Sequence, residues 1–109
     1  MHFVYIIHSP QFDKYYIGET NDIINRLEEH NTRFYRKSST AFTDDWELKK
    51  QIKVQNRNES RKIEQYIKSM KSKKFIISLI SNLEYYSNFK KIVFQKFNIE
   101  IFFVINLKL

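Results

Sequence analysis

The chain has 109 residues, and 19 Lys and Arg against 12 Asp and Glu give it a formal net charge of +7. This length fits one domain, and 42% hydrophobic with 17% aromatic residues exclude a chain that stays disordered. The absence of cysteine excludes disulfide scaffolds, zinc–thiolate sites and thiol nucleophiles. The positive charge favours polyanionic partners, with nucleic acid ahead of acidic membranes.

Neither apolar end of the chain has the pattern of a targeting or membrane segment. Residues 1–8 lack the basic region and the small-residue cleavage site of a signal peptide. Residues 99–107 are interrupted by Glu100 and Asn106, and they are far fewer than the roughly 20 residues of a membrane helix. We therefore expect a cytoplasmic protein with no membrane partner.

The N-terminal residues predict a β-hairpin. Residues 2–8 are a nearly continuous run of β-branched and aromatic residues, typical of a central strand covered on both faces. Turn-forming residues at 9–13 and a second short run at 15–17 predict an antiparallel partner strand. In such a hairpin Tyr5 and Tyr16 lie close together on the same face.

A helix and a polar loop are predicted next. Thr20 or Asn21 can cap a helix that runs to about Asn31. Residues 32–44 are polar and rich in Ser, Thr and Arg, which predicts a loop. The expected inward residues of the helix are Ile23, Ile24 and Leu27.

The middle of the chain predicts one more strand and a second helix. In residues 46–54 the even positions are apolar apart from Lys50 and the odd positions are polar, the pattern of a strand with one buried face. Asn58 or Ser60 begins the helix. Its expected inward residues are Ile63, Ile67 and Met70.

The C-terminal part predicts further helices. Residues 75–80 form the apolar side of one helix, and residues 83–97 form another. Residues 98–109 fit a strand, a packed tail or a frayed end equally well. The elements together predict an α+β fold, with a three-stranded antiparallel β-sheet flanked by helices and a helical C-terminal extension. The expected inward residues of the last helix are Leu83, Tyr86, Phe89, Val93 and Phe97.

Three features could carry chemistry. Gly18 is the only glycine and follows the second strand, where such a residue often marks a bulge or a close approach. Arg26 and His30 are spaced i, i+4 and project from one helix face. Glu64 lies beside the apolar stripe of a helix rich in Lys and Arg, with Lys68 four residues later.

Each feature taken alone has an ordinary structural explanation. Isolated tyrosines are usually core or surface aromatics, and an isolated glycine usually marks a turn or a strand end. Basic residues on a helix most often form a solvated face. An exposed Glu64–Lys68 ion pair contributes only about a few tenths of a kcal/mol.

In combination and in this order, these residues resemble the GIY-YIG endonuclease family. The resemblance runs from Phe3 to about Ile80 and is closest to small stand-alone bacterial members, which resemble the nuclease domain of structure-specific resolvases. Residues 67–74 also resemble that subgroup, while Phe3 replaces the glycine of the first motif. The segments that carry the resemblance are Phe3-Val4-Tyr5, Tyr16-Ile17-Gly18 ten residues later, Arg26-x-x-x-His30, Trp46-x-Leu48 and Glu64.

The resemblance implies metal-dependent hydrolysis of phosphodiester bonds in DNA. Glu64 maps to the glutamate that holds one divalent cation, Mg²⁺ or Mn²⁺, which offsets charge on the scissile phosphate. Arg26 maps to the arginine that holds a phosphate oxygen, and Tyr5 to the general base for the attacking water. Tyr16 would orient water or phosphate, and His30 would relay a proton or simply donate or accept a hydrogen bond.

The basic residues that flank these positions have a plainer implied role. Lysines and arginines provide affinity for phosphates that is independent of sequence and sensitive to salt. Phe34 and Tyr35, which lie among the loop cations, are of the type that stacks on unpaired bases. The candidate DNA-binding residues are Lys14, Arg33, Arg36, Lys37, Lys68, Lys71, Lys73 and Lys74.

We therefore expect a GIY-YIG-like nuclease domain over residues 1–80, with residues 81–109 as an extension that packs on it or trails from it. The expected partner is DNA, with no small-molecule cofactor besides the metal and with a protein partner as a route to targeting. Selectivity for DNA structure and a role in repair or recombination follow only from the subgroup resemblance.

Two other functions stay open. One is a non-catalytic nucleic-acid-binding module that keeps the fold, although a pure binder needs no carboxylate such as Glu64 among its cations. The other is an interaction subunit whose residues 81–109 dock a partner.

Overall fold

A computed structural model describes residues 1–32 and 38–104. It confirms the α+β class, with a three-stranded antiparallel sheet in the order β2-β1-β3 and with helices packed on it. The predicted DNA-binding residues Arg33, Arg36 and Lys37 lie outside the described residues, as do Phe34 and Tyr35. The elements are β1 (His2–Ser9), β2 (Lys14–Thr20), α1 (Ile23–Asn31), β3 (Glu47–Val54), α2 (Arg57–Ser69), α3 (Lys73–Ser81) and α4 (Leu83–Phe97).

Strand β1 is the central strand and is covered on both faces, as its continuous apolar run predicted. Val4 and Ile6 point into a large core, whereas Tyr5 and Ile7 point into a small core on the opposite face. The large core consists of Val4, Ile6, Ile17, Ile52, Val54, Ile63, Ile67, Leu79, Phe89, Val93 and Ile99. The small core consists of Tyr5, Ile7 and Trp46, with Tyr16, Ile23, Leu27 and Leu48 packed against them.

A β-bulge in β3 divides its apolar side chains between the two cores. Ile6 pairs with Lys50 but the next residue, Ile7, pairs with Leu48, so Lys49 is an extra residue in the ladder. The single buried face predicted for this strand was therefore wrong. Leu48 packs against the small core and Ile52 lies in the large core, because one inserted residue moves all later side chains to the other face.

Helix α1 begins at a different cap from the one predicted. The Asp22 side chain, rather than that of Thr20 or Asn21, accepts the Asn25 N–H at 3.1 Å. This start turns Ile24 outward, where it is 70% exposed, so its predicted inward position was wrong. The other two inward residues pack against the small core.

Helix α2 covers the large core beside β1 and β2. It is capped by the Asn56 side chain, which accepts the Glu59 N–H at 3.0 Å, and it buries Ile63 and Ile67 as predicted. Met70 was predicted to be inward but is 42% exposed, because the helix ends at the residue before it.

Helices α3 and α4 and the tail complete the large core. Residues 98–104 form a packed tail in which Ile99 is buried and the Phe102 N–H donates to the Lys53 carbonyl at 2.8 Å. Leu83 was predicted to be inward but is 84% exposed at the start of α4. None of the helices in the described ranges is long and apolar enough to cross a membrane.

Candidate active site

Gly18 allows the Tyr5 ring to lie across the neighbouring strand. The two residues are paired in the β1–β2 ladder, and a Cβ on Gly18 would lie 2.3 Å from Tyr5 Oη. The glycine is thus required for close approach and has no positive φ. Tyr16 pairs with Ile7, two residues along β1, so the two tyrosine rings share a face with centroids 6.3 Å apart. The predicted shared face is confirmed.

Helix α1 brings His30 into the same buried cluster. Its Nε2 lies 2.9 Å from Tyr5 Oη, and its ring centroid is 5.2 Å from that of Tyr16. On the other side of the ring, Nδ1 lies 2.9 Å from Thr40 Oγ1, which is 2.9 Å from Ser38 Oγ. A continuous hydrogen-bonded series therefore runs from Tyr5 through His30 to Thr40 and Ser38.

Thr40 was missed by the sequence analysis. It lies in the segment that was interpreted only as a polar loop, yet it is 2% exposed and its carbonyl accepts the Trp46 indole N–H at 3.2 Å. No local pattern distinguishes it from the other Ser and Thr residues of that loop. Its role is visible only because the fold brings it to His30.

The environment of His30 favours its neutral form. Burial lowers the pKa of its imidazole below the ordinary value of 6.5, the positive charge of Arg26 lowers it further, and Glu29 opposes these effects. A neutral imidazole has one donor and one acceptor nitrogen. When Nδ1 donates to Thr40, Nε2 accepts the Tyr5 proton, so this pair can move a proton away from the phenol.

Arg26 lies one helical turn before His30, beside the end of β2. Its Nη1 donates to the Glu19 carbonyl at 3.4 Å and its Nε to Glu29 Oε1 at 3.3 Å. Its positive charge lies close enough to His30 to lower the pKa of that imidazole. About a third of the side chain is exposed (34%), so the guanidinium can still reach a ligand.

Glu64 projects from α2 alongside β2. One turn earlier Ser60 Oγ lies 3.5 Å from Glu19 Oε2, and one turn later Lys68 Nζ lies 5.8 Å from the Tyr16 ring centroid. Residues spaced by four share a helix face, so Glu64 lies beside the middle of β2. Its Oε1 accepts from Lys68 Nζ at 2.7 Å, and its side chain is 18% exposed.

The donor chemistry at Glu64 fits a magnesium-type ion. Within the described part of the chain, no three His, Cys, Asp or Glu side chains gather into a metal cluster. A single half-buried carboxylate nevertheless suits Mg²⁺, which keeps several waters and takes further oxygen ligands from substrate phosphates. The Glu64 carboxylate has the chemistry to hold such an ion in this way.

A groove of about 500 Å³ runs past Tyr16. Four of the predicted DNA-binding residues line it, namely Lys14, Lys68, Lys71 and Lys73. Lys73 Nζ also contacts Asp13 Oδ2 at 2.5 Å, and hydrogen bonds from Lys73 and His8 lower the pKa of that carboxyl. Lys74 is exposed but is not among the residues that line this groove.

The fold and the clustered side chains agree with a comparison against known families. A model of the GIY-YIG catalytic domain matches residues 1–76. The chain belongs to the GIY-YIG family. Members of this family are nucleases that generally use divalent metal ions, so the domain is of the DNA-endonuclease type. The match covers the whole sheet, α1 and α2. No curated protein and no solved structure gave a significant match.

Proposed function

We propose that this protein hydrolyses phosphodiester bonds in DNA with the help of a divalent metal ion. The observation that carries the proposal is the buried 2.9 Å hydrogen bond between Tyr5 Oη and His30 Nε2. The pair lies beside Tyr16, which also lines the groove that carries four lysines. A tyrosine has an ordinary pKa near 10, so it needs an acceptor for its proton in order to act as a base near neutral pH.

The proton transfer can be written with these two side chains. The Tyr5 oxygen takes a proton from the attacking water while its own proton passes to His30 Nε2. Tyr16, whose ring contacts both, orients the water or the phosphate. Arg26 stabilises charge that develops on the phosphate in the transition state.

Glu64 is the proposed metal ligand. When bound, Mg²⁺ or Mn²⁺ offsets charge on the scissile phosphate and on the leaving oxygen. Lys68 holds Oε1 of Glu64 in the structure, but its side chain is 50% exposed. Because half of the Lys68 side chain is exposed, it is free to turn from Glu64 and contact a phosphate in the groove.

The roles of the remaining chain follow from position. The groove lysines bind the DNA backbone. Residues 81–104 belong with the nuclease domain because Phe89, Val93 and Ile99 lie in the large core. Structure selectivity and a role in repair or recombination are further parts of this proposal.

The experiment compares cleavage of labelled duplex, flap and four-way-junction DNAs by wild type and by Glu64→Gln, each with Mg²⁺ or Mn²⁺. We expect the cleavage rate of Glu64→Gln to fall at least about 100-fold while DNA binding survives. The reason is that the proposed metal ligand is lost, and with it the stabilisation of charge on the phosphate in the transition state. Glu84→Gln, an exposed glutamate in the first turn of α4, is the matched control and should cut as wild type does.

Other outcomes separate the alternatives. Binding without cutting by every protein would favour the non-catalytic module, for which the Lys68–Glu64 ion pair is the supporting contact. Equal cutting by wild type and Glu64→Gln would show that Glu64 is not the metal ligand. A stable protein complex with no DNA affinity would favour the interaction subunit.

A further inference from the structure

A second cavity, of about 320 Å³, adjoins the groove and has mainly aromatic walls. Phe12, in the turn between β1 and β2, meets Phe42, in the segment before β3, edge to face with centroids 5.2 Å apart. The Phe42 ring lies in turn against Trp46 at 5.6 Å. Phe12 is 46% exposed and Phe42 45% exposed, so both present ring surface to solvent. We call this cavity, formed by Phe12, Phe42 and Trp46, the aromatic pocket.

One carboxylate holds the two phenylalanine-bearing segments together. Asp45 Oδ1 accepts hydrogen bonds from Ser9 Oγ and Thr43 Oγ1, both at 2.6 Å. Its Oδ2 accepts the Gln11 N–H at 2.9 Å. Ser9 and Gln11 belong to the turn that carries Phe12, and Thr43 follows Phe42. The aromatic pocket is therefore built before any ligand arrives.

The aromatic pocket opens into the groove next to the candidate active site. Lys14, Tyr15, Tyr16 and Ser39 line both cavities. A polyanionic strand whose phosphates follow the groove lysines would thus pass the mouth of the pocket. The group that fits there is flat, has apolar faces and is attached to a phosphate backbone, which describes a nucleobase.

Only an unpaired base can enter such a pocket. In continuous duplex the base faces are stacked inside the helix, and exposing one requires unstacking and unpairing. Aromatic side chains stack on unpaired bases with little dependence on sequence. A base seated on Phe12 and Phe42 would place its own phosphate towards Lys14 and Tyr16.

We propose that the aromatic pocket binds an unpaired nucleobase beside the active site, and that it thereby makes the enzyme prefer DNA with an unpaired nucleotide over continuous duplex. This inference rests on the proposed function, because it takes the strand in the groove to be the DNA substrate. It adds a base-binding site and a substrate class that the catalytic side chains do not require.

The test measures DNA binding in EDTA, where cleavage is suppressed, by wild type, Phe12→Leu and Phe42→Leu. The probes are a flap DNA with the fluorescent base analogue 2-aminopurine as its first unpaired nucleotide and a fully paired duplex of the same sequence. We expect wild type to prefer the flap and to quench its fluorescence. Each variant should reduce the flap-to-duplex affinity ratio about five- to tenfold, since stacking on an aromatic ring is lost while apolar volume is kept.

Phe94→Leu, a 56% exposed phenylalanine on α4, is the matched control and should keep the wild-type ratio. Phe12 lies in an exposed turn, so Phe12→Leu should leave the fold intact. This variant therefore tests base binding even if Phe42→Leu disturbs the packing on Trp46. An unchanged ratio in Phe12→Leu, with wild type still cutting DNA, would overturn the inference and leave the nuclease function intact. If wild type neither binds nor cuts any DNA with Mg²⁺, the proposed function fails and the inference fails with it.

Discussion

Gly18 matters to the candidate site because it has no side chain. The Tyr5 ring occupies the space where a Cβ would lie, and its hydroxyl is in turn held by His30. Thr40, in the segment between α1 and β3, completes this arrangement through its hydrogen bond to the other imidazole nitrogen. At the scale of single residues, the site therefore depends on one missing methyl group and on one buried hydroxyl.

Gly18→Ala should displace Tyr5. The ring has to move because 2.3 Å between Cβ and Oη is far inside contact distance, and overpacking of this kind typically costs about 1–3 kcal/mol of stability. We expect cleavage to fall at least about tenfold, since the displaced phenol no longer aligns with its proton acceptor.

A double-mutant cycle checks the cause of that loss. If Gly18→Ala acts by moving the Tyr5 hydroxyl, it should cost little further activity when added to Tyr5→Phe. If the two losses of activity add fully, Gly18→Ala lowers activity by a route other than moving the Tyr5 hydroxyl.

Thr40→Val tests whether Thr40 is a positioning residue. The change removes the hydroxyl 2.9 Å from His30 Nδ1 at nearly constant volume, and losing a buried hydrogen-bond partner costs about 1–3 kcal/mol of stability. We expect a lower kcat with little change in KM, and an altered dependence of rate on pH. Thr40→Ser should restore the profile, whereas equal effects of Val and Ser would contradict this role.

His30 should also make stability depend on pH. Its pKa is lowered in the folded protein, mainly by burial, so the unfolded state takes up a proton first as the pH falls through 6.5. The stabilisation is thus complete above that value and is lost progressively towards the folded pKa. Urea unfolding at about pH 7.5 and about pH 5.5 should show wild type losing more stability than His30→Gln. If wild type and His30→Gln lost the same free energy of unfolding between the two pH values, burial would not lower the pKa of His30.

At the scale of elements, caps and a bulge decide where side chains point. The Asp22 cap sets the phase of α1 and directs Arg26 and His30 towards the sheet edge, and it leaves Ile24 in solvent. The bulge at Lys49 brings Leu48 to the small core while the rest of β3 faces the large core. Both features change the phase of an element without changing its type.

Asp22→Ala should weaken α1. Loss of an N-cap side chain costs about 0.5–2 kcal/mol, and here the affected helix carries two of the proposed catalytic residues. Urea denaturation should give a lower free energy of unfolding, and we expect only a small loss of activity. Asn21→Ala, at the neighbouring exposed position, is the control and should have little effect.

At the scale of the whole molecule, the site forms at the edge of the sheet. Strand β2 has α1 on one face and α2 near the other, so Arg26 and His30 approach from one side and Glu64 from the opposite side. Because β2 is an edge strand, both sets of side chains lie along one edge of the sheet, where the proposed DNA substrate would approach. The groove lysines lie beside the same strand.

The groove predicts the salt dependence of DNA binding. Each phosphate contact to duplex DNA contributes about −0.9 to the slope of log K against log salt concentration. We expect Lys14→Ala and Lys71→Ala each to make the slope less steep by about one contact, since both residues line the groove. Lys91→Ala, on α4 and outside the groove, should leave the slope unchanged. If Lys91→Ala changed the slope as much as the groove variants do, DNA binding would depend on the overall positive charge and not on the groove.

Local signals in the sequence were sufficient for the fold class and for most of the elements. Alternating or helical spacing of apolar residues depends on neighbours a few positions apart, so the sheet, the order of helices and the shared face of Tyr5 and Tyr16 could be predicted. The motif residues also led to the family, which the match to residues 1–76 shows.

The contacts between distant segments were decided only by the tertiary structure. No local sequence pattern predicted the Thr40–His30 hydrogen bond or the contact between Phe12 and Phe42. The same is true of the bulge that divides the side chains of β3 between the two cores. Such contacts depend on how loops close and on which face each strand presents after an inserted residue. The sequence by itself therefore determined the elements and the family, while packing around the edge of β2 decided how the candidate site is assembled.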